Sequence, residues 1–98
     1  MADLAPIKVG SHAVQLTAGL DAGESYECFV GGPDIKVFSF PIDAGTPARD
    51  TEGGRVYGQS GNLIPYFGID VTDASVLWAW QATDGESAET TVSRIRVE

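Results

Sequence analysis

The chain has 98 residues, 43% of them hydrophobic and 20% charged, with a formal net charge of −8. That length fits one domain, and that composition excludes a disordered tail. With six basic residues against fourteen acidic ones, nucleic acid and anionic membrane surfaces are disfavoured partners, because both are held by Lys and Arg.

The opening "MADLAPIKVG" carries an acid at Asp3 and lacks a basic stretch followed by an apolar core. It does not read as a secretory signal, and the expectation is synthesis in the cytoplasm. No apolar run approaches the roughly 18 residues of a membrane-spanning helix. Residues 11–98 are expected to form one β domain.

From there the dominant period is two. Val14 and Leu16 alternate with Gln15 and Thr17. Tyr26, Cys28 and Val30 alternate with Ser25, Glu27 and Phe29. Ile35 and Val37 share one face of "IKVFSF", and Phe38 and Phe40 share the other. Phe67, Ile69 and Val71 oppose Tyr66, Gly68 and Asp70. Trp78 and Trp80 oppose Leu77 and Ala79, and Ser93, Ile95 and Val97 oppose Val92, Arg94 and Arg96. Such alternation predicts half-buried strands.

Turns rich in Gly, Pro, Asp and Ser separate these runs. The fold class is therefore all-β: a small antiparallel β-sandwich or β-barrel of seven to eight short strands. Two hairpins are predicted. One joins 25–30 to 35–40 across "GGPD", and the other joins 76–82 to 90–97 across "TDGES", where Asp84-Gly85 is a strong turn signal. The long segment 43–54 is expected to cross between sheets or project as a loop, and a short helical turn fits near 47–52.

Side chains for catalysis are scarce, and the reading is that this is no enzyme. His12 lies in a turn with no adjacent nucleophile. Cys28, the single cysteine, alternates with Tyr26 and Val30 and reads as a buried apolar residue. Its neighbours Glu24 and Glu27 are acidic, the opposite of the electropositive setting a catalytic thiol needs. One His and one Cys do not make a zinc site. The pairs Asp70 with Asp73 and Asp84 with Glu86 read as solvated turn carboxylates, with no calcium-loop pattern. The glycines of "GGRVYGQSG" lack a phosphate-loop context. No cofactor or metal is expected.

Trp78 and Trp80, the only tryptophans, fall on the same face of a strand, about 7 Å apart. Three readings stand. They fill the core; they form an intersubunit face together with Leu77, Phe38 and Phe40; or an exposed Trp, or Tyr66, stacks a sugar beside Gln59, Asn62 and Gln81. Because Leu77 and Ala79 are apolar too, this strand needs cover on both faces, and the second cover has to come from a loop or another chain.

The whole chain resembles the small, acidic, β-rich accessory virion proteins of tailed bacteriophages, above all the head decoration (cement) proteins. The resemblance rests on the start "MADLAPIKVG", the stretch "GESYECFVGGPDIKVFSF" and the closing "LWAWQATDGESAETTVSRIRVE". It implies a structural protein on the capsid's outer surface, a trimer near local three-fold axes, and the major capsid protein as partner. It further implies that residues 1–10 form an N-terminal arm whose Leu4, Pro6, Ile7 and Val9 can add a strand to a neighbour's sheet edge, and Leu4, Ile7, Val9, Phe38, Phe40, Leu77, Trp78 and Trp80 are then the interface candidates. The alternative is a carbohydrate-binding or tail-associated host-recognition module.

Overall fold

The computed structural model describes residues 4–48 and 51–97. Its eight strands are β1 (Ile7–Val9), β2 (Val14–Gln15), β3 (Ser25–Gly31), β4 (Ile35–Pro41), β5 (Arg55–Tyr57), β6 (Tyr66–Asp70), β7 (Ser75–Gln81) and β8 (Thr90–Arg96). They form two four-stranded sheets, β1-β8-β3-β6 (sheet A) and β2-β7-β4-β5 (sheet B). Every pairing is antiparallel. The architecture is the small β-sandwich expected of the alternating pattern, with no closed barrel.

The core lies between the inner faces of the two sheets. Sheet A contributes Val9, Tyr26, Cys28, Val30, Phe67, Ile69 and Val92, and sheet B contributes Ile35, Val37 and Ala79. At the seam beside β5 and β6 the rings of Tyr57 and Phe67 stack with centroids 4.3 Å apart. Pairing runs across sequence-distant strands, and only β4 and β5 are neighbours both in sequence and in a sheet.

That topology corrects both expected hairpins. β3 pairs with β6 and β8, whereas β4 pairs with β5 and β7. The "GGPD" turn therefore carries the chain from one sheet to the other, and "TDGES" does the same between β7 and β8. The turn chemistry itself is present: Gly85 has φ 85° and donates its N–H to Asp84 Oδ1 at 3.0 Å. A hairpin would set Tyr26, Cys28 and Val30 beside Ile35 and Val37 in one sheet with nothing opposite them. Folding the connection over places these apolar faces against each other, and burial favours that arrangement.

The connection after β4 also differs from expectation. It returns to the same sheet as β5, so it does not cross between sheets. Its short helix is a 3-10 turn at Ile42–Ala44. Residues 47, 48, 51 and 52 carry no helix, while 49 and 50, also part of the expected turn, lie outside the described residues.

Over residues 4–10 the chain is part of the domain rather than an arm. β1 pairs with β8 through Ile7↔Val92 and Val9↔Thr90. Val9 is fully buried, and Leu4 and Ile7 pack against the core. Arg94 holds this region from inside the sandwich. Its guanidinium donates to the carbonyls of Leu16 (3.0 Å), Ala18 (2.6 Å) and Ala5 (3.1 Å). Burial lowers the Arg94 pKa from its ordinary value; the three carbonyls partner its two terminal nitrogens, while the buried Nε has no hydrogen-bond partner among the described residues.

Candidate functional site

The tryptophans lie on the outer face of sheet B, on the side away from the core. Trp78 stands opposite Phe38 and Trp80 opposite Lys36 in the β4–β7 register. An outward position on a two-layer domain is normally wet, yet Trp78 is only 8% exposed and Trp80 2%. The cover comes from the β4–β5 connection. Lys36 Nζ donates to the Thr51 carbonyl at 2.5 Å and sits 5.7 Å from the Trp80 ring centroid. A Cβ on Gly53 or Gly54 would come within 3.1 Å of the Phe38 ring, so the loop main chain lies directly on that ring. Further along the loop, Thr46 and buried Pro47 share a cleft with Ser11, His12 and Ala13 at the start of β2. In sheet B, β7 runs between β2 and β4. Residues 51–54 on the β4 side and 46–47 beside the approach to β2 thus flank the strand that carries the two indoles.

Of the two covers left open, a loop or another chain, the chain's own suffices, and the expected intersubunit face at the tryptophans is corrected because both are already enclosed within one copy. The other interface candidates are placed as follows. Leu77 packs against the core, and Val9 is interior. Phe38 and Phe40 are half-buried beside the loop, with ring centroids 5.6 Å apart. Gln81, a suggested sugar contact, is buried and donates to the Ala88 carbonyl at 2.7 Å. Gln59 donates to the Val30 carbonyl at 3.2 Å.

Cys28 is fully buried, and burial pushes its thiol up to about 11, with the nearby Arg94 charge pulling weakly the other way. A thiol held there stays protonated at neutral pH. Among the described residues no group of three or more His, Cys, Asp or Glu is placed to hold a metal ion.

Three exposed apolar side chains adjoin on the outer face of sheet A, while Ile42, Val56 and Ile64 are exposed elsewhere. Tyr66 is 58% exposed, Phe29 42% and Ile95 56%. Phe29 pairs directly with Tyr66 across β3–β6, and their ring centroids are 6.4 Å apart. Ile95 stands opposite Glu27, one position along the same face from Phe29. Beside them opens a groove of about 660 Å³ lined by Glu27, Phe29, Arg55, Tyr57, Ile64 and Tyr66. It runs along the seam between the edge strands β5 and β6.

The alternation pattern pointed away from this patch. Phe29 and Tyr66 each lie on the polar face of their own strand, beside Ser25 and Glu27 and beside Gly68 and Asp70, while Ile95 shares its face with Ser93 and Val97, opposite Arg94 and Arg96. One apolar residue out of phase carries little weight. The available signal was an out-of-phase aromatic on β3 and on β6 and an apolar pair, Ile95 and Val97, opposite two arginines at the end of β8, and only the β6-β3-β8 order brings them together.

Comparison with protein-family models, with curated proteins and with solved structures finds no match to this chain.

Proposed function

We propose that the chain is a structural virion protein that binds the outer surface of a phage capsid and stabilises it through protein–protein contact. Its contact surface is the outer face of sheet A, and its partner is the major capsid protein. One observation supports this above the rest: the domain encloses both indoles under its own loop but leaves Tyr66, Phe29 and Ile95 exposed side by side. Aromatic residues are enriched at contact surfaces. A patch this small gives a modest contact, and repetition over a lattice multiplies it. A net charge of −8 suits the outside of a capsid rather than its DNA-facing side. The three-fold assembly rests on the resemblance alone, and the tryptophans that argued from the residues for an intersubunit face are covered within the chain.

Density-gradient sedimentation of the purified chain with assembled capsids tests this. Wild type is expected to travel with the particles, and Phe29→Ser with Ile95→Ser is expected to stay at the top. Wild type left at the top, or a double variant that sediments as wild type does, defeats the reading.

A second reading has its own support. The groove joins exposed Tyr66 to a carboxylate at Glu27 and a guanidinium at Arg55, a combination that can stack and hydrogen-bond a sugar. Here Tyr66, not a tryptophan, is the platform. Glycan titrations should then shift the ring resonances of Tyr66 while leaving tryptophan emission unchanged. Unmoved Tyr66 resonances across a glycan panel end this reading.

A further inference from the structure

We propose that β6 is the contact strand of a symmetric homodimer, in which Tyr66–Asp70 of two copies pair antiparallel about a two-fold axis at Gly68. The pairing stands independently of the capsid reading.

The first support is the state of the edge. Val30 donates its N–H to the Pro65 carbonyl at 2.7 Å, and Val71 donates to the Glu24 carbonyl at 3.0 Å. Antiparallel ladders alternate, so Phe67 and Ile69 also bond toward β3, opposite Cys28 and Tyr26. On the other side of β3, Val97 donates to the Ser25 carbonyl at 2.9 Å, the phase this alternation requires. The N–H and C=O groups of Tyr66, Gly68 and Asp70 therefore point away from the sheet. Among the described residues no loop or side chain hydrogen-bonds to them.

The second support is the contrast with the other edges. β1 and β5 are three residues long and β2 is two, and β1 carries Lys8 on its outer face. Short strands and lysines are the usual devices that keep sheet edges from pairing. β6 has five residues, YFGID, with no Lys or Pro among them.

The third support selects a second copy as the occupant. Turned about Gly68, YFGID is complementary to itself. Tyr66 falls opposite the partner's Asp70, so a phenol O–H meets a carboxylate. Phe67 falls opposite the partner's Ile69 on the core side, continuing an apolar row already buried in each copy. Gly68 meets its own equivalent, and no side chains collide on the axis. No like charges stand opposite each other in this register. The outward groups of residues 66, 68 and 70 match in phase and supply about six main-chain hydrogen bonds. The Phe29–Tyr66 pairs of the two copies then lie on one continuous face, as an isologous contact requires.

Sedimentation equilibrium over a concentration series, with two variants at Gly68, tests the pairing. A Cβ at Gly68 would meet only the Tyr26 carbonyl, at 3.9 Å, so the monomer has room for a side chain. Gly68→Lys sets two ammonium groups face to face on the axis. It is expected to keep the wild-type circular dichroism and weaken the dimer roughly ten-fold or more. Directly opposed residues of a hydrogen-bonded pair have Cα atoms about 5.5 Å apart, within disulfide reach. Gly68→Cys should therefore oxidise to a covalent dimer, whereas Tyr66→Cys, which faces the partner's Asp70, should not. A wild-type chain that is monomeric throughout overturns the proposal. So does a dimer indifferent to Gly68→Lys, cross-linking at position 66 instead of 68, or a β6 edge protected from exchange only when a different protein is bound.

Discussion

Replacing Lys36 by Met tests how the tryptophan face is covered. Lys36 makes two contacts that hold the long loop down: a bond from Nζ to the Thr51 carbonyl at 2.5 Å and a position 5.7 Å over the Trp80 ring. A hydrogen bond from a charged group contributes about 1.5–3 kcal/mol, and a cation–π contact at a partly exposed site about 0.5–1 kcal/mol. Methionine keeps most of the aliphatic stem and removes the cost of partly desolvating an ammonium group. The net loss should be about 1–2 kcal/mol, or roughly 5–15 °C in Tm for a domain of this size. The readout is local as well as global. With the loop released, the indole of Trp80 meets water, so emission shifts to the red and acrylamide quenching rises at temperatures where the fold is intact. Loss of stability with unchanged quenching would mean that something other than this loop shields the indoles. No change in either would mean that the lysine ties nothing down.

Three further outcomes follow from the packing. Gly54 has φ 77°, and a Cβ there would meet the Val37 carbonyl at 2.5 Å; Gly54→Ala should cost about 2–4 kcal/mol in urea denaturation, and a change below about 0.5 kcal/mol would contradict the close approach of loop to strand. Arg94→Met leaves the carbonyls of Ala5, Leu16 and Ala18 without their donor. It should cost about 2–4 kcal/mol and speed amide exchange across β1, while a neutral result would mean that water replaces the guanidinium. Cys28 ionises near 9.0 when unfolded but at about 11 in the fold. The unfolded chain therefore loses its proton first, and stability falls as pH rises from about 9 to 11, by up to about 1.4 kcal/mol per unit. Cys28→Ala should flatten that decline, and an equal decline in both proteins would show that the thiol is not its source.

The face each strand turns inward was largely legible, because period-two alternation is a local property. Tyr26, Cys28 and Val30 are buried as one row, as are Phe67, Ile69 and Val71, and Ile35 with Val37. Which strand lies beside which was not legible. "GGPD" and "TDGES" have the chemistry of tight turns, but a tight turn serves equally to pair two strands or to fold one sheet over another. The choice is made by apolar faces far apart in sequence. The final strand shows the same limit. Arg94 points inward while Ile95 is exposed, because carbonyls from residues 5, 16 and 18 wait for the guanidinium. The need for a second cover over the Trp78 and Trp80 face was readable. That a glycine- and proline-rich loop supplies it was not, since such a segment has no apolar periodicity to reveal where it lies.

Hydroxyl-radical footprinting of the aromatic residues, on the free chain and on the chain bound to capsids, would settle which surface is used. Phe29 and Tyr66 should react in the free chain and become protected on binding, while Trp78 and Trp80 stay unreactive in both. Tryptophans that react in the free chain and are shielded in the complex, with Phe29 and Tyr66 unchanged, would place the contact on sheet B and contradict the outer face of sheet A as the working surface.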